Sequence, residues 1–205
     1  MKRVLWLAAL GLICAQALAE TAPAGSAPLG DAKAGAAKAA ACAACHGPAG
    51  NSQIPQNPRL AGQSPVYIVR QLQKFKSGER NNPIMTPQAA PLSEQDMLDI
   101  GAYFGAQKPG FGAANPEVAA AGQKLYLAGN PGAGLPACSG CHGPAGAGNA
   151  AAGYPQIGGQ HPDYVANALR AYKNGTRASP EMSFVAGKLT EEEIQTLASF
   201  LAGLH

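Results

Sequence analysis

Large side chains are scarce in this chain. Aromatic residues make up 6% of its 205 positions, and the single tryptophan is Trp6. Alongside them stand 26 glycines and 17 prolines. Protein interiors are close-packed, so a chain this rich in small residues cannot readily fill a core from its own side chains. Either part of it is unfolded or something other than side chains occupies the middle. Charge is also sparse, at 13% with a formal net charge of +3. The densest basic cluster is Arg70, Lys74, Lys76 and Arg80, too small for a nucleic-acid footprint. No run alternates at period two, which argues against sheet. Beyond the first nineteen residues, no apolar run is long enough to span a bilayer.

Those nineteen residues read as a secretory signal. Lys2 and Arg3 form a positive start, Val4 to Ile13 an apolar stretch, and Ala17-Leu18-Ala19 a small-x-small cleavage site. Val4 to Ala19 includes Gln16 and falls short of the ~20 apolar residues of a spanning helix. Ile13 before Cys14 is too large for a lipoprotein signal. The expected product is exported to the periplasm, soluble and without any tryptophan.

The rest of the chain is written twice. Cys42-Ala43-Ala44-Cys45-His46-Gly47-Pro48-Ala49-Gly50 matches Cys138-Ser139-Gly140-Cys141-His142-Gly143-Pro144-Ala145-Gly146 at an offset of 96. From Pro58 the offset is 97, pairing Pro58 with Pro155, Gln63 with Gln160, Tyr67 with Tyr164, Arg80 with Arg177 and Met85 with Met182. A period of nearly a hundred residues is a whole small domain, so the pattern is a duplication rather than a solenoid. The expected organisation is a signal peptide over 1–19, a first domain over 20–108 and a second over 109–205. Gln107 to Asn115 forms the linker.

Each half offers three helices. In the first, the starts are Asp31, Ser64-Pro65 and Ser93 with Asp96 three residues on. In the second they are Asn115-Pro116, His161-Pro162 and Thr190 with Glu193. Val66, Val69 and Leu72 are expected on one apolar stripe, and Ile194, Leu197 and Leu201 on another. The fold class is all-α, with long Gly/Pro loops over His46–Gln63 and Gly78–Leu92. Loops of that length suit a small domain only if they wrap a bound object.

All four cysteines beyond Cys14 lie in two C-x-x-C-H motifs, the attachment pattern of c-type haem. Each thiol can add to one haem vinyl group, and two intervening residues on a helical turn bring the sulfurs to that spacing. The adjoining imidazole then reaches the iron. Disulfides or a thioredoxin-like motif would leave the repeated histidine unexplained, and zinc would want four ligands at closer spacing. Cys42, Cys45, Cys138 and Cys141 are therefore the expected attachment sites of two haems, with His46 and His142 as axial ligands.

Met85 and Met182 correspond across the repeat, each two residues after a proline in a polar loop, and are expected as the sixth ligands. Met97 aligns with Ile194 on an apolar helix face and reads as core. His161, opposite Ser64 at a helix start, and the terminal His205 read as solvated side chains.

The segments CAACH…PRL…NPIM and CSGCH…PQI…SPEM resemble class I cytochrome c domains, and their tandem arrangement is similar to the di-haem cytochrome c4 family. The resemblance covers nearly all of the chain after the signal. It implies two tandem domains, each a few helices around a haem, whose first and last helices cross near Gly35 and Tyr103, and near Gly122 and Phe200. It also implies that the carbonyls of Pro58 and Pro155 accept a hydrogen bond from the proximal imidazoles, orienting them. The expanded stretch Ala128–Pro136 departs from the pattern.

A His/Met pair leaves no open coordination site, and the thioether favours ferrous iron. The expected function is periplasmic electron transfer, one electron at a time, between redox protein partners of membrane respiratory complexes and toward a terminal oxidase. No substrate site and no membrane span are expected. Two alternatives remain at this level: a di-haem peroxidase, which needs an open iron, and a haem-bearing subunit of a larger oxidoreductase, which would co-purify with it.

Overall fold

A computed structural model describes residues 30–205, so the expected signal peptide and Cys14 lie outside the described residues. Ten α-helices follow, five in each half. In the first they are α1 (Ala32–Lys38), α2 (Ala43–His46), α3 (Pro65–Ser77), α4 (Met85–Ala89) and α5 (Glu94–Gly105). In the second they are α6 (Pro116–Ala128), α7 (Ser139–His142), α8 (Pro162–Lys173), α9 (Pro180–Gly187) and α10 (Glu191–Gly203). The described residues form no strand, only two isolated bridges.

The helix starts follow local chemistry. Asp31 accepts from the backbone N–H groups of Lys33 and Ala34, Ser64 from Tyr67, and Asn115 from Glu117. Ser93 with Asp96 and Thr190 with Glu193 form reciprocal capping boxes. The two expected loops over 78–92 and its repeat are a different matter. Each contains a short helix, α4 or α9. Asn82 Oδ1 accepts from Ile84 and Met85, and Ser179 accepts from Met182, so polar caps overcome the prolines, which sit where helices tolerate them.

In each half the first and last long helices cross, α1 on α5 and α6 on α10. Glycine makes the approach possible. A Cβ at Gly35 would lie 2.9 Å from Tyr103 Cβ, and one at Gly122 would overlap Phe200. Each half then has its own core. In the first, Ile68, Leu72, Phe75, Met97, Ile100 and Phe104 cluster; in the second, Tyr126, Leu169, Ile194, Leu197 and Leu201 do. Met97 and the Ile194/Leu197/Leu201 stripe are buried as expected. The stripe expected on α3 is corrected: Val66 is 62% exposed, and the buried row is Ile68, Leu72 and Phe75. Steps of three residues fall about 60° short of a full turn, so Val66–Val69–Leu72 drifts around the helix, whereas steps of four and three stay on one face.

The α1–α5 crossing also carries a charge network absent from its counterpart, where Thr196 replaces Asp99. Buried Asp99 accepts from Lys38 Nζ (2.6 Å), Asp31 N (2.8 Å) and Gln95 Nε2 (2.8 Å). The Lys38 ammonium, the Asp31 amide and the Gln95 amide hold the Asp99 carboxyl below its ordinary range. A depressed carboxylate stabilises the fold above its unfolded pKa, about 3.9, and the contribution is lost as pH falls through the folded value. Asp99→Asn should therefore lower the melting temperature at neutral pH, and its gap from the parent should close below about pH 4. A gap independent of pH would show that packing, not charge, is lost.

The halves meet through a reciprocal seam. Gln63 donates to Gln156 O (2.9 Å) and accepts from Gln156 N (3.0 Å). Its repeat, Gln160, donates to Arg59 O (3.0 Å) and accepts from Arg59 N (2.9 Å). Arg59 and Gln156 are themselves repeat partners, so each half grips the same strip of the other's backbone. The linker packs on both halves, Gly110 N donating to Asn51 (2.7 Å) and Gly112 N to Ala202 O (2.9 Å). His161 belongs to this seam rather than to solvent. It is buried, and Nε2 donates to Ser52 O (2.9 Å), a partner in the other half that its helix-start position did not reveal. His205 is exposed, its ring 4.9 Å from that of Phe111.

Candidate functional site

Both C-x-x-C-H motifs fold as one helical turn. Cys42 and Cys138 occupy the N-cap positions of α2 and α7, and Cys45 and Cys141 lie within those helices. The backbone bond from His142 N to Cys138 O (3.0 Å) closes the second turn. The chain leaves each motif through a glycine with φ of +77°, Gly47 or Gly143. At Gly47 a side chain would also collide with the backbone of Asn51 and Ser52.

Within each motif the two thiols differ. Cys45 and Cys141 are exposed. Cys42 and Cys138 are partly buried, and burial pushes their thiols up, that of Cys138 to about 11. The described cysteines are not joined to one another.

His46 and His142 are buried, each with Nδ1 2.9 Å from a proline carbonyl, Pro58 O and Pro155 O respectively. A carbonyl can only accept, so Nδ1 carries the proton and Nε2 keeps its lone pair. Burial lowers both imidazole pKa values, partly offset by the carbonyl bonds, which favours the neutral form of both rings. The supports around them differ. In the first half, Asn57 Nδ2 donates to Cys45 O (3.0 Å). In the second, Tyr154 stands at the repeat position of Asn57, with its ring 6.1 Å from that of His142, and the Tyr126 hydroxyl donates to Gly143 O.

One continuous cavity of ≈ 560 Å³ runs through both halves. All of the expected site residues line it: Cys42, Cys45, His46, Pro58 and Met85 from the first half, and Cys138, Cys141, His142, Pro155 and Met182 from the second. Leu72, Phe75, Ile100, Leu169, Leu197 and Leu201 add apolar wall. A space with thiols, one neutral imidazole and one thioether in each half, set in a mostly apolar wall, fits the donor set and shape of two flat, covalently attached haems. The polypeptide core is built around this space rather than through it, which accounts for the shortage of large side chains.

The sequence reading missed a cluster at the seam. Arg80, Arg177, Tyr67, Tyr164 and Gln71 all line the same cavity. The signal was present, since the arginines and the tyrosines recur at the repeat offset, but nothing in one dimension brings the two copies face to face.

The family model for cytochrome c matches residues 32–106 and 119–205. Cytochrome c4 of Thiocapsa roseopersicina is 48% identical over 167 residues, covering 80% of this chain and 86% of that protein. A thiosulfate dehydrogenase electron acceptor of Thiomonas intermedia (strain K12) is 37% identical over 209 residues, covering 98% of this chain and 91% of that one. Among solved structures, reduced recombinant cytochrome c4 from Pseudomonas stutzeri superposes with a TM-score of 0.83 at 44% identity, over 86% of this chain and 100% of that chain.

Proposed function

The chain belongs to the cytochrome c4 family of di-haem electron-transfer cytochromes, and on that footing we propose that it shuttles electrons in the periplasm toward a terminal oxidase. It carries two covalently attached c-type haems. When bound, each supplies a one-electron ferric/ferrous couple.

The chain's own residues take the following roles. Cys42 with Cys45, and Cys138 with Cys141, attach the two haems. His46 and Met85 would hold one iron, and His142 and Met182 the other. Pro58 O and Pro155 O fix the imidazole tautomer and ring plane through the Nδ1–H bonds of 2.9 Å, which also raises donor strength at Nε2. The apolar part of the wall, together with the thioethers, would favour a high potential. The observation that carries this reading is that each half brings its own histidine and its own methionine to the cavity wall. With those four side chains as ligands, neither iron would be left open to a substrate.

Surface charge supports docking to redox proteins. Residues 20–114 carry eight basic and six acidic side chains, and residues 115–205 carry five and six. The acidic run Glu191–Glu193 begins α10, where Glu191 pairs with Arg170 and Glu193 caps the helix. Opposite net charges on the two halves separate a donor face from an acceptor face and give the haems unequal potentials. A relative named for accepting electrons from thiosulfate dehydrogenase supports a redox enzyme as donor. Among the described residues no helix is long and apolar enough to cross a membrane, so contact with membrane complexes would be peripheral.

A pyridine haemochrome assay on the purified protein should give two haems per chain. Oxidation by respiratory membranes should slow as salt rises, since steering between charged faces is screened. One haem per chain, or oxidation rates indifferent to ionic strength, would contradict the attachment or the docking part of this reading respectively.

A further inference from the structure

The seam glutamines do more than join the halves. Both are buried, and each Oε1 accepts two backbone N–H bonds. Gln160 Oε1 accepts from Arg59 (2.9 Å) and His161 (3.0 Å), and Gln63 Oε1 from Gln156 (3.0 Å) and Ser64 (2.9 Å). In each case one of the two donors lies across the seam. Arg59 N belongs to the same peptide group as Pro58 O, and Gln156 N to the same group as Pro155 O. Those two carbonyls are the ones that accept from Nδ1 of His46 and His142, at 2.9 Å each.

Two chains of hydrogen bonds result. One runs from His46 Nδ1–H to Pro58 O, through that peptide group, and from Arg59 N–H to Gln160 Oε1 of the second half. The other runs from His142 Nδ1–H to Pro155 O, through its peptide group, and from Gln156 N–H to Gln63 Oε1 of the first half. Both end on the opposite half. A peptide group is one conjugated unit, so a hydrogen bond given by its N–H pushes electron density onto its carbonyl oxygen. That oxygen then pulls harder on the imidazole proton, and the lone pair at Nε2 becomes a stronger donor. The bond from Gln160 Nε2 to Arg59 O (3.0 Å), and that from Gln63 Nε2 to Gln156 O (2.9 Å), hold the two amides in this register.

We propose that Gln160 is a positioning residue for the iron ligand His46, and Gln63 for His142, so that each half sets the ligand strength of the other's histidine. The inference rests on the di-haem reading above. A stronger imidazole donor favours ferric iron, so each glutamine lowers the potential of the haem in the opposite half. Cooperative strengthening is about 10–30% per bond, which makes the expected effect modest, on the order of twofold in the ferrous-to-ferric ratio. Glutamines that merely glued the halves together would have no such crosswise effect.

The test uses the intact holoprotein with Gln63→Leu and Gln160→Leu, which keep most of the side-chain bulk and remove the acceptor. Haem per chain is measured first in the parent; a value other than two would overturn the di-haem reading and this inference with it. In ferrous, isotopically labelled protein, Gln160→Leu should move the His46 Nδ1–H resonance upfield and leave that of His142 in place. Gln63→Leu should do the reverse. The potential of the matching haem, and of that haem alone, should rise by about 18 mV, the one-electron equivalent of that twofold change. If a leucine variant loses haem, Gln63→Asn or Gln160→Asn carries the same expectation, since it draws the acceptor back by one methylene yet keeps an amide. With two haems bound, unmoved Nδ1–H resonances, equal shifts at both haems, or a shift confined to the substituted residue's own half would overturn the crosswise assignment.

Discussion

A chain with Cys138 and Cys141 both replaced by serine is expected to hold one haem instead of two and to lose the cooperative folding of its second half. The reason lies in what surrounds the cavity. Val165 and Leu169 on α8 and Leu197 and Leu201 on α10 are buried core residues that also line the space. A void of ≈ 560 Å³, kept open and dry at ~24 cal/mol per Å³, would cost on the order of 10 kcal/mol. That is comparable with the whole stability of a typical domain, about 5–15 kcal/mol. The second half contributes only part of that space, but its crossing of α6 and α10 has no equivalent of the Lys38–Asp99 network to fall back on. Far-UV circular dichroism should show a marked loss of helix, with a new low-temperature transition alongside that of the first half. Parent-like helicity and a single unshifted melting transition at one haem per chain would mean that the polypeptide fills its own core.

Met182→Ala separates ligation from attachment. Both haems should stay covalently bound, since Cys138, Cys141 and His142 are untouched. One iron should become accessible to added ligands such as imidazole or cyanide, and the ferric spectrum should lose half of its sulfur-to-iron charge-transfer absorption. The potential of that haem should fall by at least about 59 mV, the one-electron equivalent of a tenfold loss in preference for the ferrous state. Met182 is held by α9, whose Ser179 cap and Pro180 start do not depend on the methionine side chain, so the helix should persist. A spectrum unchanged by the substitution would mean that another side chain supplies the sixth ligand. His161 is badly placed for that, since its Nε2 is committed to Ser52 O and it does not line the cavity.

Much of this protein is written locally. The C-x-x-C-H turns, the glycines that follow them, the capping residues of the long helices and the twofold repeat all depend on neighbours within a few positions or on comparing the chain with itself. They were sufficient to give the helical class, the paired sites and the identity of the bound group, because the motif chemistry and the lack of large side chains point to the same object. The short helices α4 and α9 show where local reading failed. Proline and glycine counted as loop signals, although a polar cap before the first turn makes the same prolines compatible with helix.

Tertiary structure alone decided how the two copies face each other. Self-comparison pairs Arg80 with Arg177 and Gln63 with Gln160, but pairing in a repeat is not contact. Only the seam shows that each glutamine grips the other half's backbone, that His161 is buried against Ser52, and that two arginines converge on a single amide oxygen. Such contacts join residues some 80 to 110 positions apart, and no periodicity or spacing encodes them. The sequence determined that there would be two haem sites; the docking of the halves decided that they would share one cavity and one cluster of charge.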